Sequence, residues 1–264
     1  MTVPPRTWLY VPADRPDRVE KAIASRAHAV IVDLEDGVAP EAKEAARGNL
    51  PELLGRRREK PVYVRVNAGD AADLEVVRAL QIDGIHVPKV ARPEDVPEVD
   101  LRVHCLIESA AGVEAAYAIA TSSGVAGISL GEADLRSETG ALEAGLDWAR
   151  GRIVNAAVAA GLPRPPQSVY PHLRDDEGLA RSCVRGRELG HLGRAAIHPD
   201  QLPIIEQAYL PSEAEAVRAA EILARYAEMD SGAFALAGGQ FVDVAIVRSA
   251  AQIAALVERY GVRS

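Results

Sequence analysis

Residues 103–135 read VHCLIESAAGVEAAYAIATSSGVAGISLGEADL. Two apolar runs in this stretch, 103–107 and 125–130, are rich in residues that favour β-strands. The segment between them, 113–120, is rich in alanine and has helical spacing. The stretch therefore predicts a β–α–β unit with two parallel strands.

Carboxylates directly follow both predicted strands. Glu108 comes after the first strand, and Glu132 and Asp134 come after the second. Because adjacent parallel strands lie about 5 Å apart, we expect Glu108 and Asp134 to face one crevice and to chelate a hard cation such as Mg²⁺. The alternative is that these acids are salt-bridged or cap a helix.

The composition is that of an ordinary soluble protein of 264 residues, of which 48% are hydrophobic and 26% charged. A net charge of −8 argues against nucleic acid or an anionic membrane as the main partner, because both require a basic surface. Cys105 and Cys183 have no metal-binding or redox spacing, which indicates a reducing compartment. There is no signal-peptide pattern and no apolar run of about 18 residues, so we expect a cytoplasmic protein.

Apolar, strand-like runs alternate with helical segments along most of the chain. The runs that we interpret as strands are residues 8–13, 29–36, 62–67, 84–90, 103–107, 125–130, 168–170 and 194–199. The intervening helical segments include residues 41–54, 72–80, 142–160 and 177–189, with a weaker one at 92–96. This alternation predicts a (β/α)₈ TIM barrel over residues 1–210. A doubly wound open sheet is the alternative, but no Gly-rich dinucleotide fingerprint follows any predicted strand.

Polar side chains follow nearly every predicted strand, and acids alternate with bases. They are Asp14, Arg15, Glu35, Asp36, Arg65, Asn67, Lys89, Glu108, Asp134, Tyr170 and His198. Catalytic groups of a barrel lie where its strands end, so we predict the active site at these positions.

Arg65 is a strand-end arginine that could bind a substrate carboxylate or stabilise a developing oxyanion. The alternative is an internal ion pair with Glu35 or Asp36. By strand alternation, Asp33 and Glu35 face the same side and could order metal-bound waters.

A basic row, formed by Arg15, Arg18 and Lys21, lies at the opening of the first predicted helix. Such a row suits a phosphate-rich ligand such as the nucleotide end of coenzyme A, with Lys89 as a further candidate. On its own, a row of three charges is more often a solvated helix face.

Two other patterns have ordinary explanations. GISLG, residues 127–131, matches the G-x-S-x-G nucleophile elbow, but Ser129 falls inside a predicted strand and we expect loop residues after Asp134. His198 stands alone before a proline, which is typical of a turn or packing residue, and the histidines show no zinc-binding spacing.

The chain continues past the predicted barrel, and we treat residues 211–264 as a C-terminal arm. A helix is predicted after Ser212, which is a plausible N-cap with Glu215 at the capping-box position. SGAFALAGGQF, residues 231–241, is Gly-rich and apolar, so we expect it to pack on a neighbour such as another subunit. Asp243 then opens a final helix.

Several long motifs occur in order along nearly the whole chain. They are LYVPADRPDR, VIVDLEDGVAPEAK, VRVN, VPKV, LIESAAGV, GEADL, AIHPDQL and GGQFVD. With these motifs the chain resembles the citrate lyase beta subunit-like family of the aldolase/citrate lyase barrel superfamily. The resemblance implies a Mg²⁺-dependent (β/α)₈ enzyme that cleaves or forms a C–C bond in 3-hydroxyacyl-CoA thioesters and assembles as a homotrimer or hexamer.

The resemblance also implies roles for individual residues. The family's metal-binding glutamate and aspartate fall on Glu108 and Asp134, and its substrate-binding arginine falls on Arg65. The family's general acid/base lies on an arm that crosses to a neighbouring subunit, and it falls on Asp243, which would otherwise be interpreted as a helix N-cap. The family's coenzyme A site falls on the basic row.

Two features depart from the family pattern. Many members carry acids around strand seven, where this chain has Gln167 and His172. Many also have adjacent Glu and Asp at the metal-binding aspartate, whereas Ala133 separates Glu132 from Asp134 in this chain. Neither change removes a metal ligand, but the first one leaves the identity of the substrate open.

We therefore expect a lyase that converts a carboxylated 3-hydroxyacyl-CoA, such as citryl-, malyl- or citramalyl-CoA, into an acyl-CoA and a keto acid. Arg65 would stabilise charge on the oxygen that becomes the carbonyl, and Asp243 would protonate the departing thioester enolate. The alternatives are an aldolase acting on free keto acids, an acyl-CoA thioester hydrolase, or a subunit of a citrate lyase complex. The sequence does not specify the hydroxyacyl chain, its stereochemistry, the direction of reaction, or whether free coenzyme A or an acyl-carrier protein is used.

Overall fold

The computed structural model describes residues 4–229, 233–236, 239 and 241–263. The chain divides into two compact units, a larger one of Pro5–Ile205 and a smaller one of Met1–Pro4 with Glu206–Ser264. Within the described ranges, no helix has both the length and the apolar character needed to cross a membrane.

The larger unit is built on a parallel sheet whose strands alternate with helices, as predicted. Its strands are β1 (Thr7–Pro12), β2 (Ala29–Asp33), β3 (Val62–Arg65), β4 (Gly84–Val87), β5 (Val103–Ile107), β6 (Val125–Leu130) and β7 (Arg194–Ala196). They pair in the order β6-β5-β4-β3-β2-β1-β7, and every pair is parallel. The β–α–β unit predicted from residues 103–135 is confirmed, with β5 and β6 side by side.

Helices form close to the four long segments that the apolar spacing predicts, at 41–54, 72–80, 142–160 and 177–189, and further helices form outside them. They are α1 (Pro16–Ala24), α2 (Lys43–Leu54), α3 (Ala71–Arg78), α4 (Ala110–Glu114), α5 (Ala116–Ala120), α6 (Glu132–Thr139), α7 (Asp147–Ala159), α8 (Asp176–Glu188) and α9 (Gln201–Ala208). Short 3₁₀ helices occupy Pro40–Ala42, Pro93–Asp95 and Glu143–Leu146. The helix predicted over 113–120 is thus two short helices, and the weak one at 92–96 is a 3₁₀ turn.

Ring contacts across the interior show that the sheet is strongly curled. Trp8 on β1 and His104 on β5 have ring centroids 5.4 Å apart, although a flat sheet would separate these strands by about 19 Å. Tyr63 on β3 and His86 on β4 belong to the same cluster, with centroid distances of 5.1 Å from Trp8 to Tyr63 and 5.0 Å from His86 to His104. Side chains on the inner face of the sheet therefore share one interior.

The strand predicted at residues 168–170 does not form. A single parallel bridge joins Gln167 to Arg194 of β7. Pro166 and Pro171 bracket this segment, and proline cannot donate a hydrogen bond to a β-ladder. The larger unit is therefore an α/β fold with a curled sheet of seven strands, rather than the eight that we predict from the sequence.

Side chains replace the missing ladder along this segment. Arg194 is 2% exposed, and its Nε donates to the Ser168 carbonyl oxygen at 2.9 Å. The Gln201 side chain donates to the Tyr170 carbonyl oxygen, also at 2.9 Å. These contacts satisfy carbonyl groups that a regular strand would pair with its neighbour.

Beyond the end of α9, the described residues of the smaller unit form two further helices and a short antiparallel ribbon. They are α10 (Glu213–Ala227), α11 (Val244–Tyr260), β8 (Phe234–Ala235) and β9 (Phe241–Val242). The predicted capping box is confirmed: the Glu215 N–H donates to Ser212 Oγ at 3.2 Å, and the Ser212 N–H donates to Glu215 Oε2 at 2.8 Å.

The Gly-rich segment packs, where it is described, within the smaller unit itself. Phe234 and Leu236 are buried in one cluster with Ile222 of α10 and Ala250 of α11. This burial supplies an intramolecular reason for the apolar character of the segment, and the expected contact with another subunit stays a prediction. Residues 231, 232, 237, 238 and 240 of the segment lie outside the described residues.

Candidate active site

A pocket of about 400 Å³ opens at the carboxyl ends of the strands in the larger unit. Its charged lining residues are Asp33, Asp36, Arg65, Glu108, Glu132 and Asp134. They lie at or just beyond the ends of β2, β3, β5 and β6, which is where the strand-end pattern predicts a site. With five carboxylates and one guanidinium, this lining attracts cations.

Glu108 directly follows β5, and its side chain is largely buried, with 8% exposure. The Lys89 N–H donates to its Oε2 at 3.1 Å. Burial, and next the charges of Glu35 and Asp134, raise the pKa of Glu108 to about 7. A bound cation would favour the ionised form of this carboxyl.

Lys89 has a backbone conformation that directs its N–H to Glu108. Its φ of 59° lies in the left-handed region, which residues other than glycine rarely adopt. Its ammonium lies 2.9 Å from Glu35 Oε1, and the hydrogen bond with Glu35 raises the pKa of Lys89. Lys89 therefore belongs to the carboxylate cluster, whereas the sequence pattern groups it with the basic row.

Arg65 at the end of β3 is held by two carboxylates. Its Nε and Nη2 donate to the two Asp33 carboxylate oxygens, both at 2.6 Å, and its Nη1 lies 2.8 Å from Glu35 Oε2. Its guanidinium also stacks over the Tyr10 ring at 4.9 Å. Burial opposes the charge of Arg65, but the hydrogen bonds to Asp33 outweigh it and raise the pKa of Arg65. Nη1 and Nη2 each carry a second N–H that a ligand could use.

The ion-pair alternative for Arg65 is confirmed for Glu35, but its second partner is Asp33 rather than Asp36. The reason is register: Asp33 is the residue directly paired with Arg65 across β2 and β3. The ion pairs do not exclude ligand binding, because Arg65 still lines the pocket.

Asp134 lies in the first turn of α6, and a single residue, Gly131, separates this helix from the end of β6. Gly131 makes this tight connection possible, since a Cβ there would lie 2.4 Å from Glu108 Cγ. The loop expected after Asp134 is not present: α6 continues to Thr139 and ends at Gly140, whose φ of 68° is typical of a helix C-terminus. The Asp134 side chain is exposed, and its charge acts on Glu108.

A buried arginine that the strand-end pattern does not reveal anchors α6. Arg150 on α7 is 3% exposed, and its Nε and Nη2 donate to the two Glu132 carboxylate oxygens at 2.9 and 2.6 Å. It also donates to Glu143 Oε1 at 2.6 Å and to Asp147 Oδ1 at 3.0 Å. Arg150 thus neutralises Glu132 and fixes the helix that carries Asp134.

One sequence signal could have identified Arg150. It falls on the same helical face as Ile153, Val154 and Ala157, all of which are buried. A charged residue on an apolar helix face needs a buried partner, which points to an internal ion pair. The identity of that partner depends on the tertiary fold.

The basic row lies on the exposed surface of α1 and at its N-cap. Arg15, Arg18 and Lys21 are all exposed, Lys21 Nζ bonds Asp17 Oδ2 at 3.4 Å, and Arg15 Nε lies 3.8 Å from an Asp14 carboxylate oxygen. None of the three lines the pocket, so their assignment to coenzyme A stays a prediction.

Asp243 lies in the smaller unit, at the N-terminus of α11. Its Oδ1 accepts a hydrogen bond from the Ile246 N–H at 3.0 Å, so it caps this helix. Capping does not prevent a second function, and the general acid/base role implied by the resemblance stays a prediction.

The remaining candidates from the sequence are also located. Ser129 is buried inside β6 and not at a strand–helix turn, which argues against a nucleophile elbow. His198 is exposed, and its Nδ1 accepts the Asp200 N–H at 3.3 Å, as expected of a turn residue. Gln167 is buried in the pocket wall, whereas His172 is exposed.

The pair Glu108 and Asp134 fits a magnesium site. In the part of the chain that the structure describes, no group of three or more His, Cys, Asp or Glu side chains is arranged to hold a metal ion. Mg²⁺ does not need such a cage, because it often binds one or two protein carboxylates and completes its shell with water and substrate oxygens. The raised pKa of Glu108 and the excess of acids in the pocket favour such a cation.

Known proteins match nearly the whole chain, and the family described as HpcH/HpaI aldolase/citrate lyase matches residues 6–199. The chain is 35% identical to a (3S)-malyl-CoA thioesterase of Cereibacter sphaeroides, over 97% of this chain and 95% of the relative. It is 31% identical to the L-malyl-CoA/beta-methylmalyl-CoA lyase of the same organism, over 94% and 92%. Among solved structures, protein CitE from Mycobacterium tuberculosis, in complex with magnesium, acetoacetate and coenzyme A, has a TM-score of 0.83 at 32% identity and covers 97% of both chains. By both sequence and fold, the chain belongs to the HpcH/HpaI aldolase/citrate lyase family.

Proposed function

We propose that this protein is a Mg²⁺-dependent carbon–carbon lyase that cleaves a carboxylated 3-hydroxyacyl-CoA into an acyl-CoA and a keto acid. The observation that carries the proposal is the pairing of Glu108 with Asp134 at the mouth of an acidic pocket, beside the fixed guanidinium of Arg65. The relatives support it, since one is a malyl-CoA lyase and another was crystallised with magnesium, a keto acid and coenzyme A.

Glu108 and Asp134 would hold the metal ion. When bound there, Mg²⁺ supplies a Lewis acid for the carboxylate and hydroxyl oxygens of the substrate. The Lys89 N–H would keep Glu108 oriented.

The protein's own groups would handle the charge and the proton. As the C–C bond breaks, its electron pair moves to the thioester fragment as an enolate, while the hydroxyl group releases its proton to solvent and becomes the keto-acid carbonyl. One proton then returns from solvent to the enolate carbon through Asp243. Arg65 would stabilise negative charge on that oxygen, because Asp33 and Glu35 already fix its guanidinium. Asp243 would protonate the enolate carbon, which completes the acyl-CoA.

Several finer features form part of the same proposal. The segment at Gln167–Ser168 would close the curled sheet into a (β/α)₈ barrel, which is supported by the bridge from Gln167 to β7 and by the hydrogen bond from the Glu132 N–H to Ser168 Oγ at 3.3 Å. Asp243 would act on the site of a neighbouring subunit in a cytoplasmic homotrimer or hexamer. The basic row would bind the phosphates of coenzyme A.

The experiment is a cleavage assay with citryl-, malyl-, citramalyl- and 3-hydroxy-3-methylglutaryl-CoA, with Mg²⁺ and with EDTA. We expect one of them to give an acyl-CoA and a keto acid in a reaction that EDTA abolishes. If none of these thioesters is cleaved while Mg²⁺ still binds, the result would favour an aldolase on free keto acids or a subunit of a lyase complex. Arg15→Ala distinguishes the two kinds of enzyme: it should weaken turnover by a coenzyme A enzyme and leave a free-acid aldolase unchanged, because the aldolase needs no coenzyme A site.

A thioester hydrolase is the second candidate. It is favoured by the 35% identity to a (3S)-malyl-CoA thioesterase along 97% of the chain. Product analysis separates the two, because hydrolysis of malyl-CoA releases malate and free coenzyme A, whereas the lyase releases acetyl-CoA and glyoxylate. Free thiol that appears as fast as malyl-CoA disappears would replace the lyase proposal with the hydrolase.

A further inference from the structure

We propose that the inner end of the pocket is a subsite for a small, uncharged, hydrogen-bonding substituent on the keto-acid part of the substrate, and that His86 binds this substituent. The inference deepens the proposed function and rests on it. It concerns a part of the pocket below the carboxylates that the proposed mechanism does not use.

The pocket extends from its acidic mouth into the curled sheet. Its inner walls are apolar and include Ile31 on β2, Leu106 on β5 and Ala195 on β7. Ser129 contributes a hydroxyl, and His86 contributes the imidazole of β4. A side group of a metal-bound keto acid would therefore meet mainly hydrocarbon and neutral polar groups.

The His86 ring is held in place by packing, but its nitrogens lack hydrogen-bond partners among the described residues. Its ring stacks on His104 at 5.0 Å and contacts Tyr63 at 5.5 Å and Trp8 at 5.7 Å. The side chain is 2% exposed, and both ring nitrogens are buried without a hydrogen-bond partner among the described residues. Native proteins pair almost all such groups, because an unpaired buried polar atom is costly, so a ligand is the natural partner in a binding pocket.

The imidazole would act as a neutral group. Burial, followed by the influence of His104 and the positive charge of Arg65, holds the pKa of His86 well below its ordinary value of 6.5. Neutral imidazole has one nitrogen that donates and one that accepts a hydrogen bond. It therefore suits a hydroxyl or a carbonyl group and does not neutralise a carboxylate.

The charges of the pocket lead to the same substrate class. Arg65 is the single cationic side chain among the described lining residues, and each of its three nitrogens already contacts Asp33 or Glu35. A second substrate carboxylate, beyond the one that a metal would hold, would have no cation of its own, because the remaining N–H groups of Arg65 serve the oxygen that becomes the carbonyl in the proposed mechanism. The pocket should thus favour monocarboxylic keto acids over oxaloacetate.

The test is calorimetric titration of the full chain, saturated with Mg²⁺, with pyruvate, hydroxypyruvate and oxaloacetate. These probes place a methyl, a hydroxymethyl and a carboxymethyl group on the same 2-oxo acid. We expect hydroxypyruvate to bind about three- to tenfold more tightly than pyruvate, which is the range for one added hydrogen bond. We expect oxaloacetate to bind at least about tenfold more weakly than pyruvate.

Two variants test whether the His86 imidazole forms the hydrogen bond to the ligand. His86→Leu should remove the advantage of hydroxypyruvate and leave pyruvate affinity unchanged, whereas His86→Gln should keep part of the advantage. His104→Leu is the matched control, because it removes the stacked ring outside the pocket lining and should preserve the ratio. A His86→Leu variant that weakens both ligands equally would show a purely structural role and overturn the inference.

The failure of the subsite and the failure of the proposed function give different results. Oxaloacetate binding as tightly as pyruvate in the wild type would overturn the subsite alone. Absence of any Mg²⁺-dependent keto-acid binding would overturn the proposed function, and the subsite with it.

Discussion

Replacement of Glu108 by glutamine is expected to stabilise the metal-free protein at neutral pH and to abolish its stabilisation by Mg²⁺. Glutamine has nearly the same shape as glutamate, and its amide oxygen can still accept the Lys89 N–H. It carries no charge, so it removes both the cost of burying a carboxylate and the repulsion by Glu35 and Asp134, which together raise the pKa of Glu108.

The magnitude follows from the size of the pKa change. A pKa of about 7 against the ordinary value of 4.5 corresponds to roughly 3 kcal/mol, at 1.36 kcal/mol per unit. Because the pKa of this acid is raised in the folded state, the folded protein binds more protons than the unfolded chain between about pH 4.5 and 7. The free energy of unfolding of the wild type therefore falls as the pH rises through this window, whereas Glu108→Gln lacks this contribution.

The assay is urea unfolding of EDTA-treated protein between pH 4.5 and 8, repeated at pH 8 with Mg²⁺. The advantage of Glu108→Gln should grow to roughly 2–3 kcal/mol at pH 8. A Mg²⁺ concentration of about 100 times Kd should stabilise the wild type by about 2.7 kcal/mol and the variant not at all. Glu114→Gln, at an exposed position on α4, is the control and should follow the wild type. Equal pH profiles for wild type and Glu108→Gln, or equal stabilisation by Mg²⁺, would refute the reasoning.

Three further substitutions test the elements around the site. Gly131→Ala should weaken Mg²⁺ binding, measured by calorimetry, because its Cβ would lie 2.4 Å from Glu108 Cγ. Gly151→Ala is the control and should keep the affinity, because its Cβ meets nothing within 4 Å. Equal affinities in the two variants would contradict the steric argument. Arg150→Ala should lower the free energy of unfolding by about 2–3 kcal/mol, because it removes a buried guanidinium and its hydrogen bonds to the half-buried Glu132; a loss below about 1 kcal/mol in urea unfolding would show that the network is dispensable. Asp243→Asn should preserve α11, because asparagine caps helices as well as aspartate does. The same variant should lower kcat at least about 100-fold, because it cannot donate the proton. Unchanged circular dichroism together with full lyase turnover would remove the role of Asp243 as general acid.

The parts of the structure that depend on local pattern can be predicted from the sequence. β5 and β6 have the predicted bounds because each apolar run ends abruptly, the first at Glu108 and the second at Gly131. The capping box at Ser212 follows from residues only three positions apart. The location of the pocket also follows, because the parallel strands of such a fold carry their polar ends to the same side.

The contacts that depend on the tertiary fold could not be predicted in this way. Arg150 and Glu132 are 18 residues apart and meet only in the tertiary fold, where the Arg150 side chain reaches from α7 to the first turn of α6. Arg194 and Ser168 are 26 residues apart, and their contact maintains a segment that the prolines prevent from becoming a strand. The left-handed conformation of Lys89 has no signal in its residue type, because lysine has no preference for it.

The acids of the pocket can be sorted by what neutralises each of them, and this sorting supports the proposed metal ligands independently of any resemblance. Asp33 is paired with the guanidinium at the end of β3, Glu132 is paired with the guanidinium of α7, and both Asp36 and Asp134 are exposed to solvent. Of the two exposed acids, Asp134 is the one whose charge raises the pKa of Glu108, and neither Glu108 nor Asp134 has a side-chain cation within ion-pair distance among the described residues. A monovalent ion would balance only one of these two carboxylates, whereas a divalent ion balances both, so the fixed arginines leave a site whose charge selects for an ion such as Mg²⁺.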